Sequence, residues 1–172
     1  MTTMTAADTR QAKPFIFRFI IAASLLLGMA GCKQNALYER LHNIPEAKWQ
    51  RTFIPSFSFN ISDTTTSYRV YVVVRHTNQY PYRNIWLNVG VQQPQDSMRV
   101  QQFELPLAAS DRWLGVGMDD VFERRVLLFP RPIKFPRSGE VKFTLQHTMR
   151  LDPLPDLLQV GIRVEPVTNT QP

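Results

Sequence analysis

Few residues in this chain are equipped for covalent chemistry: its 172 residues hold one cysteine, Cys32, and three histidines, His42, His76 and His147. Nucleophilic catalysis needs a hydroxyl or thiol beside a base that a third group orients. No Gly-x-Ser-x-Gly elbow is present. His42 falls in a spacer, and the other two fall on predicted strands, where a histidine is ordinarily a packed side chain. Their spacing follows no zinc-ligand pattern. The densest acidic cluster is Asp119, Asp120 and Glu123, with Asp111 upstream. Paired carboxylates suit acid–base work on a glycan, and acidic clusters can bind calcium. Here the calcium-loop spacing is absent, and acids around Gly115 and Gly117 more commonly close a turn. With 7 glycines in the chain, no phosphate-cradling loop is expected. The sequence predicts no catalytic residue, no metal and no cofactor.

Cys32 carries the sharpest signal. It ends the stretch Leu25-Leu26-Leu27-Gly28-Met29-Ala30-Gly31-Cys32, behind an apolar run from Phe19 to Ala30 and the cations Arg10, Lys13 and Arg18. These are the three regions of a secretory signal peptide. The run is shorter than the ~20 residues of a membrane-spanning helix. A cysteine at the cleavage site resembles a bacterial lipobox, with Met29 in the place usually held by Leu and Ala30-Gly31 as the small pair. A lone cysteine can also be a free thiol or pair with another chain; the framing residues favour acylation. Residues 1–31 are therefore expected to be a lipoprotein signal peptide, and Cys32 the lipidated first residue, with the lipid bilayer as partner. Each buried methylene contributes about 0.8 kcal/mol, so two or three acyl chains anchor durably. Acylation consumes the only thiol, which excludes disulfides, and the mature chain must fold around a hydrophobic core.

The net charge is +6 and the pI near 9.8. Three cations and Asp8 leave with the leader, lowering the charge to +4. No nucleic-acid partner is expected. The most basic stretch, Arg124, Arg125, Arg131, Lys134 and Arg137, is interleaved with Leu127, Leu128, Phe129 and Phe135. Its apolar members are expected in the core and its cations in solvent; a contact patch for anionic lipid, cell-wall polymer or an acidic partner is the alternative.

What must position these residues is a set of short strands. Residues 32–50 read as a spacer with at most one helical turn, Leu37 and Leu41 sharing a face. Period two then takes over. Phe57, Phe59 and Ile61 alternate with Ser56, Ser58 and Asn60; Tyr68, Val70, Val72 and Val74 face away from Arg69, Tyr71, Val73 and Arg75; Ile85, Leu87, Val89 and Val91 repeat the pattern. Further strands are predicted at 98–105, 125–129, 140–150 and 159–165, with Val141, Phe143, Leu145, His147 and Met149 on one face. Only 118–125 and 154–158 suit a helical turn. Short strands split by Pro94, Pro106, Pro130–Pro136, Pro153 and Pro155, without crossover helices, predict an all-β, antiparallel β-sandwich, immunoglobulin-like or jelly-roll-like. That domain spans 51–166 and is followed by a disordered tail over 167–172. Tyr71, Tyr80, Tyr82 and Trp86 cluster at one strand–turn–strand unit; aromatics with polar tips suit an interface or the corner of a core, and the sequence leaves both open.

The same unit, Arg75-His76-Thr77-Asn78-Gln79-Tyr80-Pro81-Tyr82-Arg83-Asn84-Ile85-Trp86-Leu87, resembles the Asn-x-Tyr-Pro-Tyr-x-Asn-Leu segment of the GldH family of gliding-motility lipoproteins. So does Gln146-His147-Thr148-Met149-Arg150-Leu151-Asp152-Pro153-Leu154-Pro155, running on into Val160-Gly161-Ile162-Arg163-Val164. Trp113-Leu114-Gly115 with the Gly117–Asp120 turn, and Phe135-Pro136-x-x-Gly139, match more weakly. The chain departs from the family's pattern at Ile85, where Leu is common, and at Asp156, where glycine is expected.

The resemblance implies a non-enzymatic lipoprotein of Bacteroidetes-type envelopes, required for gliding and associated with type IX secretion, with other gliding or secretion lipoproteins or membrane proteins as partners. Members in non-gliding bacteria favour an envelope-assembly role. Lys33-Gln34-Asn35 lacks the acidic run associated with surface export, so the domain is expected to face the periplasm. Partner contact is expected at Asn78, Tyr80, Tyr82 and Asn84 in the turn and at Arg150 and Asp152 in the Pro-rich loop, the last two forming a pair. The alternative is a glycan-binding or glycan-processing domain with a concave face lined by Trp86, Trp113 and Asp120.

Overall fold

Alternation of apolar and polar side chains builds the molecule strand by strand, because residues two apart share a face of the pleat. In the computed structural model, which describes residues 36–167, thirteen strands result. They are β1 (Tyr38–Asn43), β2 (Lys48–Trp49), β3 (Ser56–Ile61), β4 (Tyr68–Thr77), β5 (Asn84–Gln92) and β6 (Arg99–Pro106), then β7 (Ala108–Ala109), β8 (Arg112–Trp113) and β9 (Val116–Met118). The last four are β10 (Val121–Leu127), β11 (Gly139–His147), β12 (Leu154–Pro155) and β13 (Leu157–Pro166).

Two antiparallel sheets face each other, one ordered β1-β13-β4-β10-β9 and the other β3-β11-β5-β6, with the ribbons β12-β2 and β7-β8 beside them. The expected antiparallel β-sandwich is the fold. Its core lies between the inner faces: Tyr68, Val70, Val72 and Val74 of β4 and Val160, Ile162 and Val164 of β13 meet Phe57 and Ile61 of β3, Ile85, Leu87 and Val89 of β5, and Val141, Phe143 and Leu145 of β11, all buried. A register shift between Leu157 and Gln159 resets the alternation of β13, so odd-numbered Leu157 and even-numbered Val160 are both buried.

The structure corrects the local reading in three places. The stretch read as spacer carries β1, which closes one edge of the larger sheet by pairing Tyr38 with Val164 and Asn43 with Gln159. Tyr38 packs on Phe59 and His42 on Phe57, at ring distances of 4.9 and 5.0 Å. Residues 118–125 are not helical: β9 and β10 form a hairpin there, and Leu154-Pro155 is a strand beside β2. The described residues contain one helical turn, a 3-10 turn at Pro45–Ala47. The expected leader, Cys32 and residues 168–172 lie outside the described residues; Val167 still donates to the Ser67 carbonyl at 2.8 Å.

Antiparallel strands give the sandwich two ends. At one, β1 begins and residues 62–67, 93–98 and 128–138 connect strands. At the other lie residues 44–55, 78–83, 107–120 and 148–156, which bring the two segments of family resemblance together.

Candidate functional site

The turn after β4 is tied down residue by residue. The Thr77 amide donates to the Asp156 carbonyl and its hydroxyl to Asp156 Oδ1, both at 3.0 Å, locking the turn to the Pro-rich loop. The Asn78 amide donates to the Asp120 carbonyl at 2.9 Å and its Nδ2 to Asp120 Oδ1 at 2.7 Å. Asp156 has φ +63°, a left-handed conformation that favours glycine. The departure from the family's glycine therefore sits where the backbone asks for one, and the carboxylate compensates by accepting the Thr77 hydroxyl. Gly115 meets a stricter demand: at φ +99°, a Cβ there would stand 2.1 Å from the Glu123 carbonyl oxygen.

Tyr80 lies beneath the turn, 3% exposed, and its hydroxyl donates to the Asn84 carbonyl at 3.1 Å. Burial pushes its phenol well above the ordinary range. It packs with Trp113 around His76, which lies 4.5 Å from the Trp113 ring and stacks on Phe122 at 5.8 Å, while Tyr82 packs on the other side of Tyr80, 6.0 Å between rings. Tyr82 is half-buried, and with Pro81, Arg83, Asp111 and Arg112 it borders an open hollow of about 300 Å³. Asn78 is exposed, and Asn84 sends its Nδ2 to Glu104 at 2.5 Å. The turn thus presents Asn78, Pro81, Tyr82 and Arg83 outward, with Tyr80 as their inner support.

In the second loop Arg150, Leu151 and Asp152 are exposed. The expected Arg150–Asp152 pair is not made. Asp152 Oδ1 accepts the Arg51 amide at 2.9 Å, while the Arg51 guanidinium donates to the Met149 carbonyl at 2.7 Å. Arg51, in the segment after β2, is the cation that shapes this loop, and Arg150 is left to solvent. The Asp152-Pro153 peptide is cis.

Both strand histidines are fully buried. Nδ1 of His76 contacts the Thr77 carbonyl at 2.9 Å, and its Nε2 has no partner among the described residues. His147 packs on Trp49, 5.4 Å between rings, with Asp152 Oδ1 the nearest acid at 3.7 Å. Burial lowers the pKa of both; for His147 it outweighs the opposing pull of Asp152. Neither is placed to serve as a base for an incoming substrate. Among the described residues, no three His, Cys, Asp or Glu side chains gather as metal ligands. Trp113 faces the His76 cage and Asp120 is bound to Asn78, while Trp86 stands on the outward face of β5 at 37% exposure.

One feature was not anticipated from the sequence. Across the outer face of the larger sheet, charges of alternating sign link four strands. Arg163 bridges Glu39 and Glu165; Arg125 bridges Glu39 and Glu123; Arg75 reaches Glu123 at 2.7 Å and Gln159 at 2.8 Å. Burial alone raises the Glu123 pKa, but the hydrogen bond from Arg75 and the charges of Arg125 and Arg75 outweigh it and hold the carboxyl below its usual value. For Arg163, burial is likewise outweighed by Glu165 and Glu39. Outward placement of Arg75 was legible; its cross-strand partners, 48 and 84 residues away, were not. Gly161 lets β1 approach, since a Cβ there would stand 2.4 Å from the Arg40 carbonyl oxygen.

Fold and site together define an all-β domain whose two strand histidines are sealed in the core and whose charges on the outer face of the larger sheet are paired across strands, with two cross-linked loops offered at one end. The chain belongs to the GldH lipoprotein family, whose model matches residues 36–164. It is 28% identical over 163 residues to the gliding motility lipoprotein GldH homolog of Christiangramia forsetii, covering 90% of this chain and 94% of that one. To the gliding motility lipoprotein GldH of Flavobacterium johnsoniae it is 26% identical over 154 residues, covering 85% and 92%. A solved structure, the VP2 subviral particle of infectious bursal disease virus, is similar over 77% of this chain and 33% of that one, at 16% identity and a TM-score of 0.31.

Proposed function

We propose that this chain is a gliding-motility lipoprotein of the cell envelope, anchored through acylated Cys32 after removal of residues 1–31. Its domain faces the periplasm and acts as a non-catalytic scaffold of the gliding and type IX secretion apparatus. The contact surface is the end of the sandwich formed by the Asn78–Asn84 turn and the Arg150–Asp156 loop. The observation that carries this reading is the bonding of Thr77 to Asp156: it welds two segments, 79 residues apart and both carrying family-like sequence, into one exposed surface. Within that surface Asn78, Tyr82, Arg150 and Asp152 face outward, and Tyr80 and Asn84 hold the turn in shape. A rigid, pre-organised patch loses little entropy on binding, and Tyr and Arg are the side chains that dominate such contacts.

The test is affinity capture of the lipidated protein from detergent-solubilised envelopes, with Tyr82→Ala and Arg150→Ala compared against the unsubstituted chain. Each variant is expected to lose capture of envelope partners on the order of tenfold, with an unchanged melting temperature for Arg150→Ala and a drop of only a few degrees for Tyr82→Ala, which gives up its packing on Tyr80. Full capture by both variants would refute the assignment of the surface.

A further inference from the structure

The start of the described chain lies at the end of the sandwich opposite the two tied loops. Leu37 donates to the Val164 carbonyl at 2.8 Å, and Tyr38 pairs with Val164. From Cys32 to Tyr38 is six residues, a reach of at most about 20 Å even when fully extended. β4 alone has ten residues, about 33 Å along the sandwich. Whatever holds Cys32 therefore stays near the end where β1 begins.

That same end carries unpaired cations. The segment after β10 returns along β4, where Tyr68 and Ile133 exchange backbone hydrogen bonds at 2.7 and 2.9 Å. Ile133 is thus three strand spacings, about 14 Å, across from β1. Around it Arg131, Lys134 and Arg137 are exposed, form no ion pair among the described residues, and have no acid between them in sequence. Beside Lys134 a cleft of about 390 Å³ with mixed lining opens between this segment and β6; Phe103, Phe129 and Ile133 supply its apolar part, Arg99 and Gln101 its polar part, and Val100 is 62% exposed at its rim. Cations bordering exposed apolar surface are the arrangement of a protein face that rests at a lipid headgroup layer.

We propose that this end is a membrane-docking surface: Arg131, Lys134 and Arg137 bind phosphate-bearing anionic lipid headgroups and hold the domain upright, with the two tied loops directed away from the bilayer. The short tether limits height, and the cations set the tilt. The attraction acts over roughly 8 Å at physiological salt, so it engages only because acylation has already brought the surface close. This inference rests on the acylation of Cys32.

The full lipidated protein is reconstituted in phosphatidylcholine vesicles with and without phosphatidylglycerol. Because acylation leaves no free thiol, Ser138→Cys and Gln79→Cys each accept a single fluorophore, one at either end. A headgroup quencher is expected to quench the label at position 138 several-fold more than that at 79. Phosphatidylglycerol widens the difference, and high salt narrows it. The triple variant Arg131→Glu, Lys134→Glu, Arg137→Glu is expected to lose the phosphatidylglycerol dependence. Equal quenching at the two positions, or a dependence that survives in the triple variant, overturns the inference while leaving the anchor intact. A membrane-free protein whose intact mass shows an unmodified Cys32 overturns the anchor and the inference together.

Discussion

The two ends of the sandwich are held by different means. At the end of the tied loops, long-range bonds dominate: Thr77 to Asp156, Asn78 to Asp120, Arg51 to Met149 and Asp152. Among the connecting turns at the end where β1 begins, the main side-chain device is local. Asp63 accepts from the amides and hydroxyls of Thr65 and Thr66, which lowers its pKa well below the carboxylate range, and the cations of 131–137 form no ion pair among the described residues. A turn closed by its own neighbours folds autonomously and tolerates change around it. A surface assembled from segments up to 101 residues apart exists only when the whole sandwich is formed. The first suits a face that meets a lipid layer, whose demands are mainly of charge, and the second suits a face that must keep one shape for a partner.

The largest effect expected from breaking this contrast is at Tyr80. Tyr80→Ala empties the space beneath the turn and removes the bond to Asn84, costing about 3–5 kcal/mol in denaturant unfolding. Arg163→Ala leaves Glu165 without its partner and Glu39 with Arg125 alone, at 3.7 Å, on the outer face. A fully buried pair would lose about 3–5 kcal/mol; both acids keep some solvent, so about 2 kcal/mol is expected from the same measurement.

Asp156 sharpens the comparison at smaller scale. Asp156→Ala leaves a Cβ in the left-handed region and loses the Thr77 bond, for about 1–2 kcal/mol. Asp156→Gly loses the bond but relaxes the backbone, so it should cost less than the alanine variant. If the two variants cost the same, positive φ is not what this position selects for.

Acid should weaken the tied-loop end first. His76 and His147 have pKa values lowered by burial, so on acidification the unfolded chain takes up protons near its ordinary value of about 6.5, before the fold does. Their contribution to stability is complete above that value and is lost as pH falls below it. Melting temperature is expected to drop by several degrees between about pH 7.5 and about pH 5. His147→Leu should flatten part of that slope. The smallest effect belongs to the opposite end: the Arg131, Lys134, Arg137 triple reversal should leave stability within about 0.5 kcal/mol.

Much of the fold was legible because the inner faces of β3, β4, β5 and β11 alternate cleanly. β1 was missed because its apolar content is thin. Leu37 and Leu41 suggested a helical face, while its inward contacts are Tyr38 on Phe59 and His42 on Phe57. β9 and β10 were obscured by Gly117, the Asp119-Asp120 turn and the charges Glu123, Arg124 and Arg125. Glu123 and Arg125 find partners on other strands, and sequence spacing does not reveal them. At the site, both loops were recognisable from their motifs, but which side chains they present was not. Tyr80 and Tyr82 have the same chemistry and differ only in which one enters the cage of His76 and Trp113. Arg51 gave no local signal, since its partners Met149 and Asp152 come about a hundred residues later.

The most direct test places a photo-crosslinking side chain at position 82 in one strain and at position 138 in another, in the intact, lipidated protein within living envelopes. Protein adducts are expected from position 82 and lipid adducts from position 138. Protein adducts from 138 with none from 82 would contradict the assignment of the two ends.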